Sequence, residues 1–169
     1  MPVQIRRNAE ISECGQYRWW LRRSGLLGNL FRRELRAVSF IMLNPSTADA
    51  RIDDPTIRRC MTFAKDWGYD VLTVRNLFAY RATDPTELLK AHNPTGGERG
   101  DIELLAATSA DLIIAAWGAF VPFDRENEAM KIFDGFKLHC LGLTKKGFPR
   151  HPLYVPKSAE PIPFEVRRR

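Results

Sequence analysis

At 169 residues the chain can bury one substantial core but not two, and 44% hydrophobic with 27% charged residues is the make-up of a globular protein, not a disordered one. The longest apolar runs, Ala37 to Leu43 and Leu112 to Gly118, fall far short of the ~20 residues of a membrane span, and no apolar run follows Arg6 and Arg7, so neither a membrane anchor nor a secretory signal is expected and a cytoplasmic location is. The formal net charge of +6 is uneven, with eight arginines against three glutamates in residues 1–36 and Arg167, Arg168 and Arg169 at the end, which suits a polyanionic partner or merely a solvated surface.

One domain is expected over residues 1–169, with a basic N-terminal segment at 1–35 and an α/β core at 36–169. Cys14, Cys60 and Cys140 are odd in number and far apart, which points to structural thiols rather than disulfides or a metal clamp. No metal or cofactor is expected.

Tyr17, Trp19 and Leu21 alternate with Arg18, Trp20 and Arg22, the pattern of a half-buried strand at a sheet edge or in a hairpin. On that reading Arg22 and Arg23 are surface charges available to phosphate. Ala37 to Leu43 is apolar apart from Ser39 and stops at Asn44-Pro45, as a strand buried on both faces does. Asp54-Pro55 then supplies a cap and a first-turn proline for a helix over 55–67, ended by Gly68. Val71 to Leu77 is a second core strand, and Asp84-Pro85 opens a short helix reaching Ala91. The glycine-rich stretch 92–100 reads as a loop, with a helix from Asp101 to Ala107. Leu112 to Trp117 is a third strand. Asp124 is placed to cap a helix with an apolar face of Ala129, Ile132, Phe133 and Phe136, before a fourth strand over 137–143.

Strands alternating with helices predict a three-layer α/β/α fold around a mostly parallel four-stranded sheet, with the N-terminal strand or hairpin beside it. Ligands of such sheets sit at the carboxyl ends of the strands. There the sequence puts Asn44-Pro45-Ser46, Asn76-Leu77-Phe78, Trp117-Gly118 and Arg150-His151-Pro152-Leu153-Tyr154. Such amides, an imidazole and aromatic rings suit a pocket that reads a flat heterocycle by its edge and face.

Each residue also has a plainer use. Asn44 can make an Asx turn before its proline, Asn76 can cap loop backbone, His151 can be a satisfied loop histidine, and Trp117 can be core. Arg58 and Arg59 flank a helix start where phosphate binds, or lie on a solvated face. Asp49, Asp53 and Asp54 suit a hard cation and a phosphate, though Asp54 already has its capping duty.

Residues 42–49 (MLNPSTAD), 53–59 (DDPTIRR), 76–84 (NLFAYRATD) and 149–154 (PRHPLY) resemble the DUF1643 family of bacteria and phages, over most of the chain from about Arg36. That family is more distantly similar to the uracil-DNA glycosylase superfamily. The resemblance implies that fold and a nucleobase- or nucleotide-processing role, most concretely hydrolysis of an N-glycosidic bond. The alternative is a non-catalytic module binding nucleic acid or a modified nucleotide. By resemblance Asn44 orients a water, Asn76 pairs with a base edge, and His151 stabilises charge on the leaving base. Pro45, Ser46, Phe78, Trp117, Gly118, Leu153 and Tyr154 would complete the substrate site, and Arg58, Arg59 and Arg150 would meet phosphate. The chain departs from the superfamily pattern where Met42-Leu43 precede Asn44 in place of Gly, where Ser46 follows the proline, where acidic residues replace the aromatic stacker, and in lacking the iron–sulfur cysteines of some branches.

Overall fold

The computed structural model describes residues 4–28 and 34–165. Arg32, Arg33 and the terminal Arg167, Arg168 and Arg169 lie outside the described residues.

Seven strands form one sheet: β1 (Arg6–Ile11), β2 (Arg18–Ser24), β3 (Ala37–Met42), β4 (Val71–Asn76), β5 (Leu112–Ala115), β6 (Leu138–Cys140) and β7 (Ile162–Phe164), in spatial order β1-β2-β4-β3-β5-β6-β7. The middle four, β4, β3, β5 and β6, are parallel, while β1, β2 and β7 pair antiparallel. The three helices are α1 (Pro55–Asp66), α2 (Gly97–Leu105) and α3 (Arg125–Ile132).

β3 explains the layering. Val38, Phe40 and Met42 face α1, joining Ile57, Cys60, Met61, Phe63 and Ala64 in one apolar cluster. Ile41 points the other way, into a second cluster with Leu104 of α2 and Ala129 of α3. A strand with helices on both sides must be apolar on both sides, which is why its sequence runs rather than alternates.

Several boundaries differ from the sequence expectation. Of the two readings of the strand around residue 20, the hairpin holds and the edge does not: β2 pairs with β1, whose polar Arg-Arg-Asn-Ala-Glu-Ile gives little strand signal. Pairing within this hairpin shifts between Glu10, opposite Trp20, and Ile11, opposite Arg18. Trp19 is thus the extra residue of a bulge, and a bulge reverses the phase of what precedes it. Arg18 therefore joins Leu21 and Arg23 on the buried face, and all three are 3% exposed or less. Arg23 is not a surface charge. Its Nε donates to Asp53 at 2.6 Å and its other nitrogens to the carbonyls of Asn8, Arg22, Asp49 and Ile52.

α2 starts at Gly97, inside the stretch expected as loop, because the Thr95 hydroxyl accepts from the Gly97 N–H at 3.1 Å. Gly100 permits this, since a Cβ there would lie 1.9 Å from the Thr95 carbonyl oxygen. Gly100→Ala should cost about 1–3 kcal/mol by forcing these backbones apart. Urea unfolding tests this, and an unchanged midpoint would refute it.

The helix expected to reach Ala91 is a 3-10 turn, Pro85–Leu89, capped by Asp84. α3 leaves Phe136 outside, 45% exposed, and Asp124 makes no capping bond to its backbone. β6 is three residues long, and the short proline-containing β7 is unforeseen. Cys60 and Cys140 are buried and free, and burial pushes both thiols up. Among the described residues no helix is long and apolar enough to cross a membrane.

Candidate functional site

β3 connects through α1 to β4 on one side, and the chain then crosses to β5 on the other. Such a reversal opens a crevice outside the carboxyl ends of the strands. Backbone bonds stitch the loops around it: Leu77 N–H to Met42 O at 2.9 Å, Ala82 N–H to Pro45 O at 2.9 Å, and Gly118 N–H to Pro149 O at 3.0 Å. The result is a cavity of about 330 Å³, in the size range of small-ligand sites.

Of the residues singled out in the sequence, Asn44, Ser46, Asn76, Trp117, His151 and Tyr154 line this cavity. Asn44 Nδ2 donates to the carbonyls of Ala82 at 2.8 Å and Pro45 at 3.1 Å. Both its N–H groups are thereby spent, and Oδ1 is the acceptor the side chain retains. Asn76, the last residue of β4, accepts at Oδ1 from Arg18 Nη2 at 3.3 Å, while its buried Nδ2 has no partner among the described residues. It does not cap the loop. Clamped by a group that only donates, it keeps an acceptor on Arg18 and a donor unsatisfied.

His151 begins the 3-10 turn Pro152–Tyr154, and its Nδ1 accepts from Leu153 N–H at 3.2 Å. An accepting Nδ1 carries no proton, so the neutral ring has its hydrogen on Nε2. Burial pulls its pKa below the ordinary 6.5, against the opposing attraction of Asp54. The sign follows: with the folded value depressed, the stability tied to the neutral ring is complete above about 6.5 and is lost as pH falls through the folded value. An NMR titration of the His151 ring nitrogens should therefore find protonation only below the usual histidine range, with the Nε2–H tautomer above it. A midpoint at or above 6.5 would contradict the geometry.

The remaining candidates stand elsewhere. Pro45 is buried beneath the turn. Phe78 is fully buried in the cluster on the opposite face, edge-on to Phe123. Gly118, with φ of +80°, packs beside the Cβ of His151, and Leu153 lies outside, 44% exposed. Trp117 touches the cavity edge, but its indole N–H donates to Glu126 at 3.0 Å and its ring packs on Phe164. The three arginines expected to meet phosphate do not line the cavity. Arg58 bonds the Asp53 carbonyl, Arg59 the Val155 carbonyl at 2.6 Å, and Arg150 the Leu143 carbonyl at 3.1 Å.

The acidic stretch is consumed by the fold. Asp49 accepts from the N–H groups of Arg51 and Ile52, which holds its carboxyl below the usual range. Asp53 pairs with Arg7 and Arg23, and Asp54 caps α1 through Ile57 N–H at 2.8 Å. Among the described residues no three potential ligands are gathered for a metal ion. Asp54, one of the acidic residues weighed for a cation and a phosphate, also lines the cavity, as do Thr56, Thr83 and Arg18, the last three not expected there from sequence. The alternation of polar and aromatic residues in β2 gave Arg18 the wrong face, and only the bulge corrects it.

A family model described as a protein of unknown function, DUF1643, matches residues 18–153, a span containing Arg18, Asn44, Asn76 and His151. No curated protein and no solved structure matches the chain.

Proposed function

The chain belongs to the DUF1643 family, and we propose that it binds a nucleobase or nucleotide at the strand ends and hydrolyses its N-glycosidic bond. The observation that carries this reading is that Asn44, Asn76 and His151, singled out by the resemblance to the uracil-DNA glycosylase superfamily, line one cavity. When the glycosidic bond breaks, its electron pair goes to the base and the sugar becomes oxocarbenium-like. Donors aimed at the base oxygen therefore act more strongly in the transition state than before it. The Nε2–H of neutral His151 and the unsatisfied Nδ2 of Asn76 are such donors. Asn44 is no general base. Its Oδ1 holds a water against the sugar carbon, which suffices where base departure runs ahead of attack.

A second reading, a binding module without turnover, is favoured by Asn44 itself, whose two donor bonds to Pro45 and Ala82 also describe a loop staple. Nucleic acid or a nucleotide is the partner in both readings. Incubating the protein with nucleic acids and nucleotides containing uracil, hypoxanthine, xanthine or a mismatched base separates them. Released base supports hydrolysis, saturable binding without release supports the module, and the absence of both refutes the base-recognition reading.

A further inference from the structure

Three arginines are buried among the described residues, and two of them have a carboxylate. Arg23 meets Asp53, and Arg125 meets both Asp101 and Glu128. Arg18, 3% exposed and lining the cavity, has no such ion pair among the described residues. Its Nη1 donates to the Ala48 carbonyl at 2.8 Å and its Nη2 to Asn76 Oδ1 at 3.3 Å, and its Nε has no partner. Burial draws its pKa down to about 10, with the repulsion of Arg81 and Arg23 in the same direction and the attraction of Asp54 and Asp49 opposing it, so it is cationic at neutral pH. An uncompensated buried cation is costly, and a protein that pairs its other buried guanidinium groups leaves this one unmatched where a ligand enters.

We propose that the counter-charge of Arg18 is carried by the ligand, and that the cavity selects a molecule with an anionic oxygen, phosphate or carboxylate, set against Arg18 beside the Asn76 amide. Two neighbouring buried donors, Nε of Arg18 and Nδ2 of Asn76, match a ligand with an anionic oxygen and a second acceptor close by. A nucleoside monophosphate meets this through its phosphate, and a carboxylated pyrimidine through the base itself. This rests on the base-recognition reading above and adds the ligand's charge to it.

Calorimetric titration of the full chain at fixed ionic strength tests the proposal, with orthophosphate, uridine 5′-monophosphate, orotate, uridine and uracil as probes. An anionic probe should bind saturably and about tenfold or more tighter than its neutral counterpart. Preference for phosphate and the monophosphate identifies phosphate as the source, and preference for orotate over uracil identifies a base carboxylate. Arg18→Met, which replaces the charge by an apolar chain of similar length, should abolish the preference. Arg18→Lys, which keeps the charge but not the fork, should retain part of it. Anions binding no tighter than neutral probes in wild type, or an undiminished preference in Arg18→Lys and Arg18→Met, overturns the proposal; should Arg18→Met not fold, wild type and Arg18→Lys decide. Uracil binding that is lost in Asn76→Ala without any anion preference sinks this inference alone. An anion preference without base release from any substrate sinks only the hydrolytic reading.

Discussion

His151→Ala should lower turnover by about 10²-fold or more on any substrate the protein hydrolyses, the loss seen when one preorganised oxyanion donor is removed. Ground-state affinity should change far less, because the hydrogen bond strengthens only as charge builds on the departing base. The fold should survive, since the ring's one hydrogen bond among the described residues is local, from Leu153 N–H to Nδ1. His151→Gln carries the check further. Its amide nitrogen falls near the position of Nε2 and cannot titrate, so it should recover part of the rate and remove whatever pH dependence His151 contributes. Single-turnover rates beside equilibrium binding make the comparison. Full activity in His151→Ala, or an unfolded protein, would remove the imidazole from the chemistry.

Arg23→Ala should be the most damaging single change to stability. Arg23 is fully buried, and with Arg7 it holds the carboxylate of Asp53, whose side chain is 10% exposed. Losing one member of such a pair leaves the other buried and under-compensated, at a cost of about 3–5 kcal/mol. The carbonyls of Asp49 and Ile52 lose their donor too. For a chain this long the melting temperature should fall by about 10 °C. Arg22, exposed on the same strand, is the control: Arg22→Ala should move stability by under about 0.5 kcal/mol while weakening any nucleic-acid binding and flattening its salt dependence. Equal effects from the two substitutions in urea unfolding would refute the assignment. Because the loop that Arg23 holds leads into Asp54 at the cavity, ligand affinity should fall with stability.

The parallel core was legible in the sequence where burial dictates composition. β3 and β5 are apolar on both faces, and Asp54 and Asp84 announce their turns by proline and cap. β1 and β7 were not legible, since an edge strand needs little apolar surface and Arg-Arg-Asn-Ala-Glu-Ile and Ile-Pro-Phe offer little. At the site, the grouping of Asn44, Asn76 and His151 was legible because Asn44 and Asn76 stand at or just past the carboxyl ends of β3 and β4 and His151 on the segment after β6, ends that the chain order sends to one side. Arg18 was not. Its face depends on a one-residue irregularity in pairing with β1, and that is a property of two segments together. Phe78 lies away from the cavity for a related reason: the second residue past a strand end can turn to either face, and here it packs in the opposite cluster beside Phe123.

The two rims of the sheet bear on how this protein avoids itself. An exposed strand border is a template on which another chain can polymerise. Here one border is β1, which presents exposed Arg6, Arg7 and Asn8, and the other is β7, three residues long with Pro163 at its centre and Pro161 just before it. Like charges repel a second β1, and prolines withhold the N–H groups that a growing ladder requires. Part of the arginine excess at the N-terminus thus has a use that involves no polyanion at all, as a guard against fibrous self-association.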